Sequence, residues 1–94
     1  MLIALDYDGT FTEDPTLWVS FIAMAQAHGH DVIGVTMRYE FEKNTMLKSY
    51  ASLLDRVIFT GRLAKKPFLE AEGIKVDIWI DDRPDFILNS ASPL

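Results

Sequence analysis

Two carboxylates stand two residues apart in Asp6-Tyr7-Asp8-Gly9-Thr10, directly after a short apolar run. In an extended backbone, residues two apart face the same side. Asp6 and Asp8 are therefore expected to meet in one site while Tyr7 points away. Close carboxylates repel each other and need a cation or a shared proton. A hard cation with oxygen ligands, most simply Mg²⁺, meets that need. Gly9 lets the chain leave the strand sharply. A calcium loop counted from Asp6 fails, because its glycine position holds Phe11 and its bidentate glutamate position holds Leu17. A second acidic pair, Asp81 and Asp82, follows the apolar Ile78-Trp79-Ile80, and Lys65 and Lys66 lie just before Pro67.

These groups need elements to position them. Leu2 to Leu5, Asp31 to Thr36, Arg56 to Thr60 and Val76 to Ile80 read as short, largely apolar strands. Asp14 followed by Pro15 predicts a helix start, the helix running over Thr16–Ala27 to a stop at Gly29. The apolar spacing of Met46, Tyr50, Leu53 and Leu54 predicts a helix from about Tyr39 to Leu54, with Asn44 and Thr45 weakening its middle. Pro67 to Glu72 reads as a short helix stopped by Gly73, and the residues from Pro84 offer at most one helical turn. This alternation predicts an α/β fold: a three-layer, Rossmann-like parallel sheet of about four strands with crossover helices. Ligands of such sheets bind beyond the carboxyl ends of the strands. Asp6, Asp8, Thr36, Thr60, Asp81 and Asp82 all fall there.

The chain has 94 residues, of which 49% are hydrophobic, enough for one domain with a core. It has no Cys, which excludes a disulfide framework and a thiolate zinc site. Its formal net charge of -5 argues against a passive polyanion binder. No apolar run approaches membrane-spanning length, and the start lacks a basic leader, so a soluble cytoplasmic protein is expected.

Leu5-Asp6-Tyr7-Asp8-Gly9-Thr10-Phe11-Thr12 resembles the first motif of the haloacid dehalogenase superfamily. Thr36 in Gly34-Val35-Thr36-Met37-Arg38 resembles the second-motif hydroxyl residue, Lys65 or Lys66 the third-motif lysine, and Ile78-Trp79-Ile80-Asp81-Asp82 the fourth motif. Together they run from Leu2 to Asp82. The resemblance implies a magnesium-dependent phosphohydrolase acting on phosphomonoesters. In it, Asp6 forms an aspartyl phosphate and Asp8 handles the proton. The Asp6 side chain, the Asp8 backbone carbonyl and Asp81 hold the metal, Asp82 holds a metal-bound water or orients the lysine, Thr36 bonds a phosphoryl oxygen, and the lysine pairs with nucleophile and phosphate. Gly9, Thr10, Arg38 and Arg62 lie where they would meet substrate, though a surface role is the simpler reading of each arginine. Between Lys65 and Lys66 the short Ala-Lys-x-Pro arrangement favours Lys65, on the expectation that Pro67 takes the first helical position with Lys66 at its cap.

Departures from the family pattern matter as much. The gaps from Asp8 to Thr36 and from Thr36 to Lys65 each hold about one helix and one strand, so no cap domain is expected, nor a fifth strand. An open site suits a phosphorylated small molecule or a polynucleotide end, and a truncated sheet edge suits a homo-oligomer. A receiver domain is disfavoured because Thr60-Gly61-Arg62, after the third strand, offers no phosphoacceptor Asp. The alternative from another class is a catalytically degenerate binding or regulatory module of the same fold.

Overall fold

The structure, a computed structural model, describes residues 1–93. Four strands, β1 (Leu2–Leu5), β2 (Asp31–Thr36), β3 (Val57–Phe59) and β4 (Ile78–Ile80), alternate with helices α1 (Pro15–Ala27), α2 (Thr45–Leu53) and α3 (Lys65–Ala71). A single-turn helix α4 (Asp85–Leu88) follows β4. All strand pairs are parallel, in the order β3-β2-β1-β4. The two central strands are the most buried, as the middle of a parallel sheet covered on both faces requires.

Alternation along β1 divides the core. Ile3 and Leu5 pack with Val32, Ile22 of α1 and Leu47 and Tyr50 of α2. Ala4 points the other way, towards Ile33, Val35, Ile58 and Leu69 of α3. The result is three layers, with α1 and α2 on one face and α3 on the other. Fully burying a side chain such as Leu5 or Leu69 contributes roughly 1.5–3 kcal/mol. Gly34 of β2 lies beneath the Tyr50 ring, where any Cβ would collide with the phenol. That close approach lets the Tyr50 hydroxyl donate to the Leu5 carbonyl, fixing the last residue of β1.

Two helix starts differ from the sequence expectation. The helix expected from about Tyr39 begins at Thr45, because the Asn44 side chain accepts the Leu47 N–H and caps it. Residues Glu40–Glu42 form a separate 3₁₀ turn. Helix α3 begins two residues before Pro67. Proline is tolerated there because first-turn N–H groups have no intrahelical partner. Lys65 and Lys66 are therefore helical residues and not lead-in. The strands β3 and β4 are also shorter than the apolar runs containing them.

Candidate active site

The carboxyl ends of the strands meet in an open cleft of about 490 Å³, lined by Asp6, Asp8, Thr36, Lys65, Asp81 and Asp82 among others. The Asp6 N–H donates to the Ile80 carbonyl (2.9 Å), which sets the end of β1 beside the end of β4 and brings Asp6 next to Asp81. Beyond Asp6 the chain turns at once. The Thr12 N–H donates back to the Tyr7 carbonyl, and a 3₁₀ turn at Phe11–Glu13 buries Phe11 against Tyr50. Tyr7 goes into the core, with its hydroxyl donating to Asn44 Oδ1 (3.1 Å).

Lys65 is the centre of the site. Ala4 faces α3, and Asp6, two residues on, reaches the start of the same helix. The Lys65 side chain is 3% exposed, and its Nζ lies 2.7 Å from Asp6 Oδ1 and 2.5 Å from Asp81 Oδ2. Lys66 is exposed and belongs to no such network. Thr10 closes the other side. Its hydroxyl lies 3.0 Å from Asp6 Oδ2 and 3.2 Å from Asp82 Oδ1, and it accepts the Asp82 N–H (3.1 Å). Carboxylate oxygens of Asp6, Asp81 and Asp82 lie within 4.8 Å of one another. Burial, with Asp81 adding to it, pushes the Asp6 carboxyl up to about 7 against the Lys65 ammonium.

This cluster of oxygen donors fits a hard divalent cation. It gathers three acids around one ammonium, an excess of two negative charges at the mouth of a cleft. Gly9 makes room for it. Its φ is +81°, and a Cβ there would run into the Asp82 carboxylate.

Several sequence expectations need correction. The Asp8 carboxylate lies apart from the acid cluster and is held by Arg38, with Nε and one terminal nitrogen each at 2.8 Å. The side-to-side rule for residues two apart ends with the strand, and Asp8 lies in the turn that follows it. The Arg38 fork is thus occupied by Asp8, at the cleft wall, and Asp8 holds its guanidinium above its ordinary value. Arg62 donates to the Met37 carbonyl (2.6 Å) and to Glu42 (3.1 Å), bracing the loop after β2. The Gly9 N–H goes to Thr12 Oγ1 (2.9 Å) while Gly9 itself lines the cleft, and the buried Thr10 hydroxyl goes to Asp6 and Asp82. Thr60 donates to the Leu63 carbonyl in the turn after β3.

Thr36 is buried at the cleft wall. Its oxygen accepts the Arg38 N–H (3.2 Å), and among the described residues its own proton goes to no partner. Two charged cleft residues escaped sequence reasoning. The Arg83 N–H donates to Asp81 Oδ1 (3.0 Å), and Glu42 gathers Arg62 and the Tyr39 N–H. Arg83 at least follows the acidic pair directly. Glu42 carries no spacing signal, since a loop sets its place. Among the described residues, no helix is long and apolar enough to cross a membrane. No family model, curated protein or solved structure matches the chain.

Proposed function

We propose that this chain is a cap-less phosphohydrolase of the haloacid dehalogenase type, acting on phosphomonoesters through an aspartyl phosphate on Asp6. The observation that carries the reading is the buried Asp6–Lys65–Asp81 network, flanked by Asp82 and Thr10 at the carboxyl end of a parallel sheet. A surface acid pair needs no buried lysine. A nucleophilic carboxylate that must be aimed and kept ionised beside phosphate does.

Asp6, Asp81 and Asp82 would hold Mg²⁺, which when bound offsets the negative charge of the phosphate and of the acids around it. Asp6 attacks phosphorus as the ester P–O bond breaks. Water then attacks the phosphoenzyme and returns the free carboxylate and inorganic phosphate. Lys65 fixes the direction of the Asp6 carboxylate and balances charge on the transferring group. The free Thr36 proton is available to a phosphoryl oxygen. Asp8, beside the cleft, takes up a proton from solvent once its carboxylate is free of Arg38, passes it to the departing alkoxide and recovers one from the attacking water.

The test is release of phosphate from a panel of phosphomonoesters, including oligonucleotide ends, by wild type and Asp6→Asn with and without Mg²⁺. Turnover that needs both Mg²⁺ and the Asp6 carboxylate supports the reading. Equal turnover by Asp6→Asn, or none by wild type on any substrate, rejects it. The second of these outcomes favours a binding module of the same fold.

A further inference from the structure

Arg38 is built to move only one edge of its guanidinium. One terminal nitrogen donates to the Glu42 carbonyl (2.9 Å), the cation lies 5.3 Å from the centroid of the Tyr7 ring, and its backbone N–H donates to Thr36 Oγ1. The remaining edge, Nε and the other terminal nitrogen, points to both oxygens of Asp8. That pair is accessible, with Arg38 26% and Asp8 53% exposed, whereas the Lys65 pairs are closed off. Exposed ion pairs are weak and exchange readily. Arg38, Asp8 and Thr36 all line the cleft that holds the acid cluster.

A guanidinium fork matches a phosphate as well as it matches a carboxylate. We propose that Arg38 is a transferable clamp, resting on Asp8 and exchanging that carboxylate for two oxygens of an entering phosphoryl group. The exchange conserves two charge-assisted hydrogen bonds, and the anchors on Glu42 and Tyr7 stay in place. Thr36, which lines the cleft, ties the two events together, since its oxygen holds the Arg38 backbone and its proton has no partner among the described residues. Arg38 thereby becomes a substrate-positioning residue, and it releases Asp8 only when an anion has arrived. This rests on the reading of the cleft as a phosphoryl site, but it concerns anion binding and can be tested apart from turnover.

The experiment is calorimetric titration of inorganic phosphate, in the presence of Mg²⁺, into wild type, Arg38→Ala, Asp8→Asn and the double variant. Because Asp8 competes for the fork, Asp8→Asn should tighten phosphate binding about threefold, while Arg38→Ala, which removes the fork altogether, should weaken it about tenfold. The double variant decides between competition and simple charge repulsion. If Asp8 acts by occupying Arg38, Asp8→Asn yields no gain in the Arg38→Ala background. A gain of the same size in both backgrounds overturns the clamp, as does unchanged phosphate affinity in Arg38→Ala or no measurable binding to wild type. Far-ultraviolet dichroism of each variant checks folding, and Arg38→Lys, which keeps the charge but not the fork, should recover only part of the affinity. Loss of turnover in every protein with these affinities intact would count against the phosphohydrolase reading and leave the clamp standing.

Discussion

Asp6→Asn separates the chemical role of the carboxylate from its effect on stability. Burial raises this carboxyl from 3.8 to about 7. A carboxyl whose pKa is raised by folding stabilises fully at low pH. That contribution declines as pH rises above 3.8, where the unfolded chain loses its proton, and levels off above about 7, where the folded protein loses it too. Within that window each pH unit corresponds to about 1.4 kcal/mol. Ionised Asp6 therefore lowers the stability of the metal-free protein by about 4 kcal/mol at pH 8 and about 2 kcal/mol at pH 5. Asparagine has the same shape and no charge to desolvate. The variant should exceed wild type in stability by those amounts while losing turnover. Urea unfolding in EDTA, followed by the fluorescence of Trp18 and Trp79, measures both gaps. Mg²⁺ should narrow the gap at pH 8 to about 1–2 kcal/mol, because a ligand at a hundred times its Kd adds about 2.7 kcal/mol to the protein that binds it. A variant no more stable than wild type at pH 8, or a gap that does not change with pH, would refute the argument that burial dominates at Asp6.

Two further outcomes follow from the same geometry. Lys65→Ala leaves two buried acids without their cation, so it should destabilise by about 3–5 kcal/mol and abolish turnover, whereas Lys66→Ala on the exposed face should stay within about 0.5 kcal/mol of wild type and remain active; thermal melts and phosphate release check both, and a silent Lys65→Ala would remove the lysine from the mechanism. Gly9→Ala should lose about 1–3 kcal/mol and raise the Mg²⁺ concentration needed for activity, since its Cβ strains the backbone and displaces Asp82. Gly29→Ala, also at positive φ but with nothing near its Cβ, should keep the wild-type Mg²⁺ dependence.

The fold was legible in the sequence because burial writes itself into composition. Strands covered on both faces must be apolar throughout, and Leu2–Leu5 and Asp31–Thr36 are read almost to the residue. Helix starts were legible where a side chain caps directly, as at Asp14, and misread where position in the first turn decides, as at Pro67. The acidic residues and the lysine could be named, because strand ends of a parallel sheet converge and few polar groups lie there. Their partners could not. Asp8 lies as close to Asp6 in sequence as any strand rule allows, yet a turn gives it to Arg38, thirty residues away, while Asp81 and Lys65 come in from distant segments to join Asp6. Sequence determined which residue types stand at the strand ends. Tertiary structure decided which of them touch, because hydrogen bonds and ion pairs act over a few ångströms that only the packing of the sheet, α3 and the turn after β1 defines.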